Sequence, residues 1–410
     1  MTATAEAKSN RYWYILLMPV LGVLFIMIAL RVVSPVEYAN SDFFTFWLSG
    51  RFELTGQNPY SANLWTAAHH QFGATWIPNT SFVYPLPISL LFTPLAWLPL
   101  YQAFVLWVAL TQLMILIAVS LLLKPYSYAA YKHYLVPLLA GIVLFRATIV
   151  TLHNGQISGL LLLTTTWIAY LWGKGKWWQG SIFLPILALK PNLGVPIILL
   201  LSFYLVFRKQ FRALLLGAGA SLVLVCIGLL QDPNWIVEFW RAGNTKLSTT
   251  FGYSPTIWGV SAYLCNHNPG CIAAYGGAAA VLLLIGCIYL LGTKNASLPP
   301  MWAGSFAVTV TLLLTPYTWP YDQLLLIIPI LTVVMHLARR GYPFLPTALL
   351  FLGIDILAFV LLGISAGIQT ESWSAAIPLC VLALLAGMIW KSTKPGNAPD
   401  GDEGLMQVGS

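Results

Sequence analysis

Apolar runs of membrane-crossing length recur along almost the whole chain, and no other feature restricts its folding as tightly. The first is WYILLMPVLGVLFIMIALRVV, residues 13–33. A bilayer's hydrocarbon core is crossed by a helix of about 20 apolar residues. Backbone polar groups in lipid must be satisfied within each segment, so a chain built of such runs is expected to be an all-α polytopic membrane protein. Composition agrees: 59% of the 410 residues are hydrophobic and only 8% are charged, against roughly 25% charged in soluble domains.

The hydropathy pattern predicts about twelve transmembrane helices, over 12–33, 103–122, 135–152, 157–172, 178–189, 193–207, 213–230, 273–291, 301–315, 322–338, 345–366 and 374–390. The first run lacks a small-x-small cleavage site and reads as a retained helix rather than a signal peptide. With the N-terminus in the cytoplasm, fourteen of the twenty basic residues fall inside, from Lys8 and Arg11 through Lys174, Arg208 and Arg339 to Lys394. That matches the positive-inside rule, provided that the proline-punctuated stretch 84–98 does not cross. It is expected to lie at the outer face, as a juxtamembrane helix or re-entrant segment. The chain then divides into a membrane domain over 1–390, with a first extracytoplasmic loop over 34–102, and a disordered cytoplasmic tail over 391–410, rich in Gly, Pro, Asp and Lys. Both termini are cytoplasmic in this arrangement.

The net charge of +8 follows from this topology and does not indicate nucleic-acid binding. Cys226, Cys287 and Cys380 read as small hydrophobes. Cys265 and Cys271 flank a polar loop, where a disulfide is one of two readings.

The predicted outer face carries seven of the twelve acids, among them Asp42, Glu53, Asp322 and Glu371. It also carries HNGQ at 153–156, KPN at 190–192, FWRAGNTK at 239–246 and TPYTWPYDQ at 315–323. Transporters place polar groups near the midplane more often. Polar residues gathered at one surface favour an interfacial site that a lipid-borne substrate enters sideways.

Within SDFFTFWLSGRFELTGQNPY, residues 41–60, Asp42 reads either as a helix cap or as a general base among aromatics that exclude water and stack on a sugar. Arg51 and Glu53 read as an ion pair, with phosphate binding as the other role for Arg51. Lys190 precedes a proline between two apolar runs, so a helix break is expected there. Its ammonium either snorkels or meets a phosphate. Arg146 reads as a buried network residue or a functional one. His153 reads as a substrate contact, an acid–base group or a cap. In TPYTWPYDQ the residues Trp319, Tyr321 and Asp322 form either an aromatic belt or a sugar-binding wall. No metal-ligand spacing and no nucleotide-binding glycine loop occurs, so neither metal nor cofactor is expected.

Taken in order, these motifs resemble glycosyltransferase family 87, the bacterial polyprenyl-phosphate-mannose-dependent mannosyltransferases with a GT-C fold. DFFTFWLSGRFELTGQNPY resembles the family's Asp-aromatic opening and its Gly-x-x-Pro-Tyr turn, which ends at Tyr60. FVYPLPISLLFTPLAWLP resembles its Tyr-Pro-Pro segment, although Leu86 displaces the second proline to Pro87. HNGQISGLLLL, with His153, Asn154 and Gln156, resembles its Gly-Gln motif, and ALKPNLGVPIILL its Lys-Pro motif. TPYTWPYDQ resembles its Ser-Pro-x-x-Trp segment, with Tyr321 and Asp322 where the family often has histidine.

The resemblance implies a hexosyltransferase of the bacterial inner membrane. It implies Asp42 as base, a polyprenyl-phosphate-sugar donor, a lipid or glycan acceptor, and inverting transfer on the extracytoplasmic face. Lys190, Arg51 and Arg241 are the candidate phosphate cations. A flippase of lipid-linked glycans and a transferase using another lipid-linked sugar remain the alternatives. In this reading membrane lipids are partners and nucleic acid is not.

Overall fold

The computed structural model describes residues 21–34, 38–77, 79–126, 133–293 and 298–392. Residues 12–20 of the first expected span, the basic residues Lys8, Arg11, Lys132 and Lys294, Glu37, and the expected tail from 393 onward lie outside the described residues. Among the described residues there are helices and no strands.

Helix α1 (Leu21–Val32) leads into α2 (Asp42–Thr55), α3 (Ala62–Gln71), α4 (Pro87–Ala96) and α5 (Leu100–Leu123). Then follow α6 (Leu135–Leu144), α7 (Arg146–Asn154), α8 (Ser158–Gly173), α9 (Trp177–Ser181), α10 (Leu184–Leu187), α11 (Pro191–Phe207) and α12 (Phe211–Gln231). The rest of the chain forms α13 (Trp235–Thr250), α14 (Ile257–Leu264), α15 (Pro269–Thr293), α16 (Pro300–Leu314), α17 (Ile327–Arg339), α18 (Phe344–Ile368) and α19 (Ala376–Ser392). A 3-10 segment, Pro320–Leu326, runs directly into α17.

Six helices among the described residues are long and apolar enough to cross a membrane: Leu100–Leu123, Phe211–Gln231, Pro269–Thr293, Pro320–Arg339, Leu349–Ile368 and Ser372–Ile389. The expected span 135–152 is a pair, α6 and α7, bent by 51° at Phe145. The expected spans 193–207 and 301–315 appear as the shorter apolar helices Pro191–Phe207 and Pro300–Leu314. The expected span 178–189 is corrected: it is divided into α9 and α10, with Pro185 in the first turn of the second piece. A proline is tolerated in a first turn, where no hydrogen bond is lost, but it stops a helix arriving from upstream. The stretch 84–98 contains only the ten-residue α4, a helix about 15 Å long and so shorter than a bilayer core.

Burial separates the bundle's centre from its periphery. In Pro320–Arg339, 83% of the apolar window is buried inside the protein, and in Leu100–Leu123 56%. In Phe211–Gln231 and Pro269–Thr293 the share is 17%, which leaves their apolar side chains for lipid. The Cys265–Cys271 disulfide closes the loop between α14 and α15. Arg146 is tied by two hydrogen bonds, 2.6 and 3.1 Å, to the Glu371 carboxylate, which gives it the network role.

The aromatics of 41–60 form a core rather than a wall. Phe43 stacks on Phe104 at 4.9 Å and Phe46 on Phe92 at 4.9 Å, while Phe44 meets His69 edge-on at 4.8 Å. Phe43, Phe44, Phe46 and Trp47 are buried, which corrects the expectation that they face a sugar. Gly50 allows α2 to lie directly on α4: a Cβ there would stand 2.8 Å from the backbone carbonyl carbon of Phe92. Gly50→Ala is therefore expected to cost about 1–3 kcal/mol. The matched control Gly219→Ala, whose Cβ meets nothing within 4 Å, should be neutral or slightly stabilising. Thermal melts of the two detergent-purified variants check this, and equal midpoints would refute the close-packing account.

Candidate active site

Three stretches around 79–84, 190–192 and 317–322, with the helices α2 and α13, bring charged and hydrogen-bonding side chains to one narrow cleft. It is lined by Asp42, Asn79, Val83, Tyr84, Lys190, Asn192, Lys246, Tyr317, Trp319, Tyr321 and Asp322.

Asp42 is the first residue of α2, and Ser41 caps that helix: its hydroxyl accepts the Phe44 amide at 3.3 Å. The capping role read for Asp42 is thereby taken by its neighbour, and the Asp42 carboxylate lines the cleft. At the other end, Gly56 stops α2 in the left-handed conformation at φ 66°. Beyond the turn the Tyr60 hydroxyl donates to the Tyr84 carbonyl at 2.6 Å, so Tyr60 braces the segment that carries Tyr84.

Gly155 ends α7 at φ 64°. A Cβ at this position would stand 2.6 Å from the Phe43 Cβ, and the Gly155 carbonyl accepts the Trp107 indole N–H at 2.9 Å. Only glycine combines that conformation with that approach. The turn buries Gln156 completely, below the cleft.

The expected break at Lys190 is present. Lys190 has φ −123° and ψ 82° between α10 and α11, and Pro191 opens α11. The Lys190 carbonyl accepts the Gly194 amide at 2.8 Å, and Gly194 lies so close to the end of α10 that a Cβ would collide with the Leu187 carbonyl. The side chain, 4% exposed, neither snorkels nor stands free. Its Nζ donates to Asp322 Oδ1 at 2.5 Å and to Gln156 Oε1 at 3.1 Å, and it sits 4.6 Å from the Tyr321 ring centroid. Asp322 is fully buried and also accepts from the Ser158 hydroxyl at 3.2 Å and the Trp319 amide at 3.0 Å. Lys190 holds Oε1 of Gln156, and the amide's buried Nε2 donates no hydrogen bond among the described residues, which leaves it available to Asp42.

Burial pushes the Asp42 carboxyl above its ordinary value; the Gln156 side chain and the charges of Lys190 and Lys246 act in the opposite direction. Burial raises the Tyr317 hydroxyl to about 12 and the Tyr84 hydroxyl well above its ordinary value, so both stay protonated donors near neutrality. Lys246 is lowered by burial, and Asp42 partly offsets that shift. A carboxylate of raised basicity therefore sits among two ammonium groups and several phenols.

Of the residues expected at the site, Asp42, Lys190, Trp319, Tyr321 and Asp322 line the cleft, and Gln156 lies immediately behind. The others are corrected. Arg51 is exposed, donating to the Ala96 carbonyl at 3.2 Å and lying over the Trp47 ring. It does not pair with Glu53, whose carboxylate accepts from Ser89 and Gln231. Arg241 and His153 are exposed and Asn154 half-buried, none of them lining the cleft; Tyr60 supports it from behind.

Sequence reasoning missed Tyr84, Asn192, Lys246 and Tyr317, although each stands in a motif it had marked. Lys246 shares FWRAGNTK with Arg241. The two are five residues apart on α13, about 140° around the helix, so only one can face the cleft. The helical period gave that signal without choosing between them. Among the described residues no group of three or more His, Cys, Asp or Glu side chains gathers as a metal site.

An all-helical integral membrane protein with a buried, charge-balanced cleft is the class that fold and site define. The family model for glycosyltransferase family 87 matches residues 82–316, more than half of the chain, and the chain belongs to that family. It is thus a glycosyltransferase, requiring a sugar donor and an acceptor. The matched segment contains Tyr84, Gln156, Lys190 and Lys246; Asp42, Tyr317 and Asp322 lie outside it. No curated protein matches the chain.

The Lys190–Asp322 pair should dominate the site's stability. Removing one member of a buried pair costs about 3–5 kcal/mol, because the other charge is left without compensation. Lys190→Gln and Asp322→Asn are each expected to lower the thermal midpoint strongly. The combined Lys190→Gln, Asp322→Asn variant should lie well above the sum of the single losses. Additive losses in such a double-mutant cycle would rule out the coupling.

Proposed function

We propose that the cleft moves a hexose, mannose by the likeness of the motifs, from a polyprenyl-phosphate-sugar to a hydroxyl of a lipid or glycan. The reading places the cleft at the extracytoplasmic surface of a bacterial inner membrane, within a GT-C architecture whose termini are cytoplasmic. The observation that carries it is Asp42: a carboxylate of raised proton affinity, free of capping duty, facing a cleft that also holds ammonium groups.

In a single displacement the acceptor oxygen attacks the anomeric carbon from the face opposite the phosphate. Its proton passes to Asp42 as the new C–O bond forms. The bond from the anomeric carbon to the phosphate oxygen breaks, and the lipid phosphate departs with the electron pair. The configuration at carbon is inverted. Ammonium groups stabilise the leaving phosphate, so a general acid is not needed. Tyr84, Tyr317 and Trp319 offer hydroxyl and indole donors along the same cleft, suited to sugar hydroxyls. Gln156, clamped by Lys190 and with its Nε2 unengaged, is placed to donate to Asp42 when substrates fill the cleft.

Asp42→Asn is expected to reduce release of lipid phosphate from a polyprenyl-phosphate-mannose donor by at least about a hundredfold, the usual worth of a general base. Donor binding should survive. The base works only when ionised, so wild-type kcat should fall as pH drops, through an apparent pKa above the ordinary carboxylate value of about 3.9. Full turnover by the variant would remove Asp42 from the mechanism. Transbilayer movement of the donor without phosphate release would favour a flippase.

A further inference from the structure

The cleft holds two lysines, but their surroundings differ. Lys190 has its three donor directions engaged, by Asp322, by Gln156 and by the Tyr321 ring. Turning towards a ligand would strip the fully buried Asp322 of its counter-charge, a costly rearrangement in a low-dielectric site. Lys246 lines the same cleft half-buried, with no ion pair and no side-chain hydrogen bond among the described residues. The charge of Lys190 is thus spent within the protein, while that of Lys246 is open to an incoming group.

On α13, Ile236, Val237 and Trp240 are exposed and apolar, about 80°, 180° and 120° around the helix from Lys246, so the side suited to lipid and the side that meets the cleft are different. The position of Lys246 also solves an electrostatic problem. An anionic head group beside ionised Asp42 is repelled unless a cation stands with it, and Lys246 interacts with Asp42. As Asp42 takes the acceptor's proton and loses its charge, the same cation stays with the charge developing on the leaving phosphate.

We propose that Lys246, rather than Lys190, is the residue that contacts the donor's phosphate, with Lys190 a positioning residue that orients Gln156 against Asp42. This rests on the lipid-phosphate donor reading given above. The chemical class recognised is a prenyl phosphate monoester or diester presented from the bilayer.

The test compares binding of farnesyl phosphate and of uncharged farnesol to the detergent-purified full chain, followed by intrinsic tryptophan fluorescence. Lys246→Gln is expected to raise the Kd for farnesyl phosphate by about tenfold or more, the worth of one charge-assisted hydrogen bond. Its Kd for farnesol should be unchanged, which also shows that the variant is folded, and Lys246→Arg should restore phosphate binding. The combined Lys190→Gln, Asp322→Asn variant should bind farnesyl phosphate within about threefold of wild type. In turnover that variant should lose kcat with little change in KM, as misoriented Gln156 and Asp42 require. The assignment to Lys246 is overturned if Lys246→Gln binds farnesyl phosphate as wild type does, whether or not the combined variant folds. In that case wild-type binding keeps the donor reading intact. Wild-type protein that does not distinguish farnesyl phosphate from farnesol overturns both.

Discussion

A lysine and an aspartate buried against each other, Lys190 and Asp322, hold together the parts on which the site depends. Neither charge is tolerable alone at this depth, and each is satisfied by more than its partner. Lys190 also bonds Gln156, while Asp322 also bonds Ser158 and the Trp319 backbone. Through these contacts the break between α10 and α11, the turn after α7 and the 3-10 start of α17 are locked in one arrangement. A single ion pair therefore sets the relative position of three segments separated in sequence, and it fixes Gln156 behind the cleft that Asp42 lines.

The same cleft collects backbone that does not conform to regular helix. Irregular backbone at membrane depth is sustained only where it is buried in protein or lines a cavity. The extended Lys190, the left-handed Gly155 and the stretch from Thr315 to Trp319 all satisfy that rule: the Lys190 carbonyl accepts the Gly194 amide, the Gly155 carbonyl accepts the Trp107 indole N–H, the Thr315 hydroxyl donates to the Asn192 carbonyl, and the Trp319 amide donates to Asp322. The bend at Phe145 belongs to a different cluster, the Arg146–Glu371 pair. A shell of aromatic rings around α2, from Phe104 through Phe92 to Tyr84, keeps Asp42 at the rim of a rigid, water-poor wall. Those rings raise the base's proton affinity by excluding water, and the cleft's own phenols and indole are left for the ligand.

By itself the sequence determined that the chain lies in a membrane, because apolar runs at this density leave no other way to bury their surface or satisfy their backbone. It marked the break at Lys190 through Pro191, and Asp42 as an acid out of place after a greasy helix. These are local properties, set by φ restrictions, missing donors and hydrogen-bond inventories that act over a few residues. Span lengths were less legible, since the expected span 178–189 is divided at residues 182–183, just before the helix whose first turn holds Pro185.

Only the tertiary structure decided which polar residues meet. Lys190 and Asp322 are separated by 132 residues, and nothing local marks them as partners. Arg51 stood among the sequence candidates and Lys246 did not; packing turned the first outward along α4 and the second into the cleft. The aromatics beside Asp42 suit a sugar or a core equally well in composition, and it was the close approach of α2 to α4 at Gly50 that made them core. Charge pairing and ring packing act across space rather than along the chain, so their outcome exists only once the helices are assembled.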